Sequence, residues 1–149
     1  MKTTAKMMIR RMRFEDAHEV SQIEWAVFPN PWRQEDFETA VRTESIRTRV
    51  LLLDGAIIAY AIWQFHRGTM WLENIAVHTD HQRRGIGRIL VENCAKLAHP
   101  MATEVRERNL GAQLFLRKLG FLCTEIKRRP WEGCDEDAYI FQNHNVIEA

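Results

Sequence analysis

Three consecutive apolar runs, rich in β-branched, aromatic and aliphatic side chains, lie at residues 49–53, 56–65 and 70–77. Two short polar breaks separate them, Asp54-Gly55 after the first run and Arg67-Gly68 after the second. A dipeptide that ends in glycine favours the left-handed backbone of a tight hairpin, so the pattern predicts three consecutive antiparallel strands. A sheet of this kind must be covered by helices from the rest of the chain.

Helical spacing of apolar residues flanks this predicted sheet on both sides. The predicted helices lie at residues 16–28, 33–42, 85–98 and 109–119. Further short strands are predicted at residues 9–12, 103–105, 121–127 and 138–141. This order predicts an α/β fold with a single mixed sheet of six to seven strands and about four helices. The 149 residues are expected to form one domain over residues 1–149, with residues 1–6 loose.

Charge and cysteine content exclude several classes of protein. Lys and Arg total 21 against 20 for Asp and Glu, and this balance argues against a nucleic-acid coat or a polybasic membrane-surface protein. Its apolar runs are shorter than the roughly 20 residues that span a bilayer. Cys94, Cys123 and Cys134 are odd in number and widely spaced, unlike a disulfide framework or a zinc site. We therefore expect a cytoplasmic, metal-free monomer or homodimer without nucleic-acid or membrane partners.

The turn between the third strand and the next helix carries the clearest chemical signal. The strand ends at Val77, and the helix begins near Gly85. Helix N-termini present unpaired N–H groups and bind phosphate, and glycines at 85 and 87 allow a close backbone approach. Three arginines add positive charge: Arg83, Arg84 and Arg88. These features suit a pyrophosphate, and the alternative from the residues alone is a capped surface helix with solvated arginines.

The segment Gln82-Arg-Arg-Gly-Ile-Gly87 resembles the acyl-CoA-binding motif of the GNAT N-acetyltransferase superfamily, and residues 72–77 resemble the strand before that motif. Residues 103–109 and 119–121 resemble the next strand of the family, the asparagine that opens the following helix, and the end of that helix. Residues 28–32 and 136–138 resemble the RimI-like branch, which acetylates the N-terminal alanine of a ribosomal protein. The resemblance extends from about Ile9 to Phe141.

The resemblance implies acetyl-CoA as the cosubstrate and a primary amine as the acceptor, first of all the N-terminal α-amine of a protein. A small amine or a lysine is the alternative acceptor. The resemblance also implies that the strands through Val77 and Glu104 splay apart, with the pantetheine arm of acetyl-CoA in the gap between them. The implied acetyl-CoA-binding residues are Ile75, Ala76, Val77, Gln82, Arg83, Arg84, Gly85, Ile86, Gly87, Arg88, Asn109 and Leu116.

Two glutamates are candidates for the catalytic base. An ammonium has no lone pair for attack, so a carboxylate must take a proton from the acceptor, directly or through water. Glu104 aligns with the base of the RimI-like enzymes and is the preferred candidate. Glu73 lies on the preceding strand, where other GNAT branches carry a carboxylate. From the residues alone, a partly exposed strand-end glutamate is the favoured interpretation of each.

Leu116 departs from the RimI-like pattern, which has a tyrosine at this position as the acid that protonates the departing thiolate. Leucine cannot donate a proton, so the resemblance leaves Tyr139, Cys134, water or the attacking nitrogen as the donor. This departure keeps open a catalytically silent acyl-CoA-binding module.

The acceptor side is specified mainly by aromatic residues. The resemblance places it around Trp25, Phe28, Trp32, Trp131 and Tyr139, of which we expect two in the site and the others in the core. Glu24 is a candidate for binding a cationic N-terminus, although a solvated helix glutamate is the favoured interpretation.

Overall fold

The computed structural model describes residues 5–95 and 100–143. Its helices are α1 Ala17–Val27, α2 Gln34–Arg42, α3 Ile86–Ala95 and α4 Leu110–Lys118. Its strands are β1 Met7–Arg10, β2 Ile46–Leu53, β3 Ala56–His66, β4 Thr69–Val77, β5 Met101–Arg106, β6 Leu122–Lys127 and β7 Ala138–Asn143. Each predicted helix and strand is present, with small differences at the ends. Positions 96–98 of the predicted third helix, and positions 1–4 of the predicted loose start, lie outside the described residues.

The strands form one mixed seven-stranded sheet in the order β1-β2-β3-β4-β5-β7-β6. β2, β3 and β4 pair antiparallel, as the turn glycines predict. Asp54 and Gly55 have φ angles of 50° and 84°, and Arg67 and Gly68 have 49° and 80°. Both residues of each turn are therefore left-handed, which is the geometry of a type I′ hairpin.

Helices cover both faces of the sheet because alternate residues of β3 point to opposite sides. Tyr60 and Ile62 pack in a core with Phe37 and other residues of α1 and α2. Ala61 and Trp63 pack in a second core with residues of α3 and α4. The helical spacing of residues 109–119 makes Leu110 and Leu114 candidates for the core, and this prediction is wrong: both side chains are largely exposed, Leu114 by 60%. In the described residues no helix is both long and apolar enough to span a membrane.

The sheet opens between β4 and β5. These parallel strands pair only at Met70–Met101 and Trp71–Ala102, although both continue well beyond those pairs. Glu73 is the extra residue of a β-bulge, because Trp63 of β3 pairs with Leu72 and Ile62 pairs with Asn74. A bulge bends its strand and increases the local twist. The predicted splay is therefore present, and it starts next to Glu73.

Candidate active site

A cleft of about 820 Å³ lies at the end of β4, between the start of α3 and the body of α4. Nine of the predicted acetyl-CoA-binding residues line it: Ile75, Ala76, Val77, Gln82, Arg83, Gly85, Ile86, Gly87 and Arg88. The opposite wall comes from α4, through Gly111, Leu114, Phe115 and Lys118. Exposed Leu114 is thus part of an apolar cleft wall and not of the core.

The turn after β4 is held by its own side chains and by left-handed residues. The Gln82 side-chain amide donates a hydrogen bond of 3.0 Å to the Val77 carbonyl, which ties the turn to the strand end. Arg83 and Gly85 have φ angles of 63° and 77°. The chain then enters α3, where the Ile89 N–H donates to the Gly85 carbonyl. The preceding N–H groups are the first of the helix and have no partner within it.

Gly87 has a different role from Gly85. It lies within α3, and a Cβ atom there would be only 3.3 Å from Cζ of the Phe115 ring. Ordinary contacts between carbon atoms are about 3.5–4.0 Å. Gly87 therefore allows α3 and α4 to approach closely, which sets the width of the cleft.

Basic side chains gather at the α3 end of the cleft. Arg83 and Arg88 line it, as the sequence predicts, and Lys118 joins them from the last turn of α4. Arg88 Nε also donates to Glu92 Oε1 over 2.7 Å, so a neighbouring carboxylate holds this guanidinium. Arg84 does not line the cleft. Sequence reasoning missed Lys118, because its distance from the turn depends on how α4 packs.

A second cavity of about 310 Å³ lies in the gap between β4 and β5, and we call it the carboxylate cavity. Glu73 and Glu104 both line it, one from each strand. Phe28, Ile75 and Phe115 line this cavity and the cleft, so the two are adjacent. Desolvation, and then the negative charge of Glu104, raise the pKa of Glu73 above its ordinary value.

The loop after β5 is fixed beside the carboxylate cavity. Asn109 lines the cavity and caps α4, since its Oδ1 accepts a hydrogen bond of 3.1 Å from the Ala112 N–H. The cap occupies the side-chain oxygen, so the amide nitrogen is the group that can donate to a ligand. Buried Glu136 accepts from the Arg108 N–H over 3.1 Å and lies 3.6 Å from Arg106 Nη1. Residues 136–138, which resemble the RimI-like branch, thus support this loop.

Residues 17–121 match the model of the Acetyltransferase (GNAT) family. The chain belongs to the GNAT family. The ribosomal protein bS18-alanine N-acetyltransferase of Salmonella typhimurium is 33% identical over 126 residues, 80% of this chain and 84% of that protein. The crystal structure of the ribosomal-protein-S18-alanine N-acetyltransferase from Escherichia coli matches with a TM-score of 0.80 at 28% identity, covering 95% of this chain and 99% of that one. Arabidopsis thaliana NAA60 in complex with acetyl-CoA shares the fold, with a TM-score of 0.79, 16% identity, and coverage of 93% and 98%.

These findings confirm the predicted family, fold and enzyme class: the chain is an acetyl-CoA-dependent N-acetyltransferase. The roles of its individual residues remain predictions. The mixed sheet that opens at the cleft is the arrangement that the GNAT resemblance implies.

Leu116, which stands where the RimI-like pattern has a tyrosine, is buried. Leu116 is almost fully inaccessible and lines the carboxylate cavity. The Tyr139 hydroxyl donates to Glu107 Oε2 over 3.3 Å, and the Cys134 thiol donates to the Glu136 carbonyl over 2.9 Å. Neither Tyr139 nor Cys134 is among the described residues that line the cleft or the carboxylate cavity. The structure thus favours water or the attacking nitrogen as the proton source for the thiolate.

The five aromatic residues predicted for the acceptor side separate into different environments. Phe28 lines both the cleft and the carboxylate cavity. The Trp32 ring packs against the core residue Phe37, with centroids 5.3 Å apart and planes tilted by 42°, and Trp25 is 76% exposed. Trp131 is partly exposed and packs under the Arg106 guanidinium at 5.0 Å. Of the five predicted aromatic residues, Phe28 is therefore the one that lines the carboxylate cavity.

The favoured interpretation of Glu24 as a solvated helix glutamate is wrong. Its side chain is 2% exposed and faces the sheet. The sequence contains the signal, because Glu24 follows Val20 by four residues and precedes Val27 by three, on the apolar stripe of α1. Periodicity therefore predicts burial here, against the usual preference of glutamate for solvent.

Proposed function

We propose that this chain transfers the acetyl group of acetyl-CoA to the N-terminal α-amine of a protein, with an alanine N-terminus of a ribosomal protein as the leading acceptor. The observation that supports the proposal is the carboxylate cavity, which is lined by Glu73 and Glu104 and adjoins the basic cleft. The acceptor class is supported by the relatives from Salmonella typhimurium and Escherichia coli, which are named ribosomal protein bS18-alanine N-acetyltransferases.

The residues of the cleft fit acetyl-CoA. The open side of β4 leaves backbone groups of Ile75 and Val77 facing the cleft, where a pantetheine amide can pair with them. The first N–H groups of α3, together with Arg83 and Lys118, offer donors and positive charge to a pyrophosphate. Asn109 contributes its amide nitrogen at the inner end. When bound, acetyl-CoA supplies an acetyl group activated as a thioester.

Glu104 is the proposed base, and it removes a proton from the nitrogen of the acceptor. Glu73 shares the cavity but has a raised pKa, so it keeps its proton to a higher pH than an ordinary glutamate. The resemblance to the RimI-like enzymes, which aligns Glu104 with their base, is what favours Glu104 over Glu73. Glu73 then acts as the neighbour whose protonation state tunes the cavity.

The test is a thiol-release assay with acetyl-CoA and peptides that begin with Ala, Ser, Met or Gly. A peptide with a blocked N-terminus and an internal lysine, and a polyamine, serve as control acceptors. We expect the fastest release with the Ala peptide and none above background with the blocked peptide. Fastest release with the polyamine or the lysine contradicts an N-terminal acceptor.

In the described residues no tyrosine or cysteine lines the cleft or the carboxylate cavity, so with Leu116 in place the thiolate takes its proton from water or from the attacking nitrogen. Tight binding of acetyl-CoA without thiol release from any acceptor contradicts the proposed transfer. For the enzyme, Glu104→Gln should lower kcat by about 10²–10⁴-fold, the usual contribution of a general base. Glu73→Gln is the matched control, and a larger loss there assigns the base to Glu73.

A further inference from the structure

Glu24 is a buried carboxylate that the proposed chemistry does not use. The Tyr60 hydroxyl and the Asn74 side-chain amide both donate hydrogen bonds to its Oε1. The Trp32 backbone N–H donates to its Oε2 over 3.2 Å. In residues 5–95 and 100–143, no cationic side chain forms an ion pair with Glu24. A buried carboxylate without a counter-ion is costly to desolvate, so these three donors are what holds it.

The three donors come from three different parts of the fold. Trp32 belongs to the loop between α1 and α2, Tyr60 to β3, and Asn74 to β4 directly after the bulge at Glu73. Burial, and then the hydrogen bond to Glu24, raise the pKa of Tyr60, so the phenol remains a donor. Glu24 thus joins one helix, one loop and two strands at a single carboxylate.

Two residues that are hydrogen-bonded to Glu24, one to its side chain and one to its backbone, line the carboxylate cavity. Asn74 itself lines the cavity. Phe28 also lines it, and its N–H donates to the Glu24 backbone carbonyl over 3.0 Å at the end of α1. The loop that contains Trp32 begins at this same residue. Glu24 is therefore connected to both the loop side and the β4 side of the cavity.

We propose that Glu24 is a positioning residue for the acceptor: it fixes the α1–α2 loop against the β4 bulge and so sets the shape of the cavity in which the amine meets the carboxylates. The basic end of the cleft lies at the start of α3, and the three hydrogen bonds of the Glu24 side chain go to the α1–α2 loop, β3 and β4 instead. Loss of the Glu24 carboxylate should therefore weaken the use of the acceptor and leave acetyl-CoA binding intact.

Asp16 provides a matched control. It is also a buried carboxylate, immediately before α1, but Arg10 pairs with it over 2.6 Å and it lines neither the cleft nor the carboxylate cavity. Asp16→Asn should destabilise the fold without altering the KM for the acceptor peptide. Comparison of the two positions separates a role in acceptor positioning from a role in stability alone.

The experiment uses the full chain with Glu24→Gln, Glu24→Ala and Asp16→Asn. A glutamine with its oxygen in the place of Oε1 leaves Trp32 without an acceptor, and the reverse orientation leaves both Tyr60 and Asn74 without one, because an amide offers only one oxygen. The first orientation keeps two of the three hydrogen bonds, so Trp32 is the donor expected to lose its acceptor. We expect Glu24→Gln to raise the KM for the Ala peptide about tenfold, the equivalent of one buried hydrogen bond. The Kd for acetyl-CoA, measured by calorimetry, should stay within about twofold, which is inside the spread of surface effects.

Glu24→Ala should raise the peptide KM further, and Glu24→Gln decides alone where the alanine variant does not fold. A second measurement is amide hydrogen exchange at Trp32, which should accelerate in Glu24→Gln and not in Asp16→Asn. The positioning role is overturned if peptide KM and acetyl-CoA Kd rise together, if neither changes, or if Asp16→Asn raises the peptide KM equally. The inference rests on the proposed function, and the two fail differently. A wild-type chain that acetylates no peptide overturns the proposed function, whereas an unchanged KM in Glu24→Gln overturns only the positioning role.

Discussion

Substitution of Gly85 by alanine isolates the backbone demand of the turn at the cleft. Gly85 has a φ of 77°, and a Cβ atom added there meets nothing within 4 Å. The change therefore adds backbone strain without a steric clash. Gly111 is a matched control, because it also lines the cleft and has no neighbour within 4 Å, but it lies in the helix α4.

The magnitude follows from two opposing effects at Gly85. A left-handed conformation costs an alanine about 1–2 kcal/mol. The alanine also restricts the unfolded chain, which returns about 0.4–1 kcal/mol. We expect Gly85→Ala to lower the free energy of unfolding by about 1 kcal/mol. Gly111→Ala should raise it by up to about 1 kcal/mol, because alanine is the better helix former.

Urea denaturation measures this difference, with unchanged m-values as the sign that the unfolded states are comparable. The two variants should differ by about 2 kcal/mol, or roughly 4–8 °C in Tm for a chain of this size. Relaxation of the strained turn also moves the first N–H groups of α3. Gly85→Ala should therefore weaken acetyl-CoA binding about tenfold, and Gly111→Ala should not. Equal stability of the two variants refutes the strain argument, and equal affinity refutes the turn as the phosphate site.

Three further predictions concern stability and reactivity. Desolvation opposes ionisation of Asp16, but hydrogen bonds from Arg10 and from the backbone outweigh it and lower the pKa. The contribution of the ionised Asp16 carboxylate to the free energy of unfolding is therefore complete above the unfolded pKa of about 3.9, and it is lost as the pH falls through the folded pKa. Asp16→Asn and wild type should thus differ in urea midpoint at pH 7 and converge in acid. Burial raises the pKa of the Cys94 thiol to about 12, so this cysteine should react with a disulfide reagent at pH 8 only after denaturation, and rapid labelling of the native chain at Cys94 contradicts its burial. The Thr103 hydroxyl donates to the Leu72 carbonyl over 3.0 Å, so Thr103→Val should lower the free energy of unfolding by about 1–3 kcal/mol in urea titration, and an unchanged midpoint refutes a structural role for this bond.

Local sequence signals predict most of the fold. The Asp54-Gly55 and Arg67-Gly68 turns fix β2, β3 and β4 as a meander because only a few residue types adopt two successive left-handed conformations. The bulge at Glu73 was not predicted, since it depends on the register of β4 against β3. Periodicity predicts Leu114 for the core, but its side chain is exposed. Periodicity identifies an apolar stripe on a helix but does not show which other residues cover that stripe.

The site is predicted where its residues are close in sequence and missed where they meet through packing. The turn from Gln82 to Gly87 is a continuous motif, and the structure brings it to one cleft. Phe115 and Lys118 complete that cleft from α4, and no local pattern marks them as site residues. Glu24 is the opposite case: its residue type predicts solvent exposure, whereas its place on the apolar stripe of α1 buries it.

The separation of β4 from β5 produces both parts of the site at once. The strands pair at two positions, and the Thr103 hydroxyl adds one bond to Leu72 before they diverge. Divergence frees the edge of β4 for a ligand and opens the cavity in which Glu73, from β4, faces Glu104, from β5. Desolvation in this cavity, and then the charge of Glu104, raise the pKa of Glu73, so both effects depend on the same opening between the strands. A change that lengthened the β4–β5 pairing would narrow this opening and bring the carboxylates together, so we expect acetyl-CoA binding and acetyl transfer to change together in such a variant.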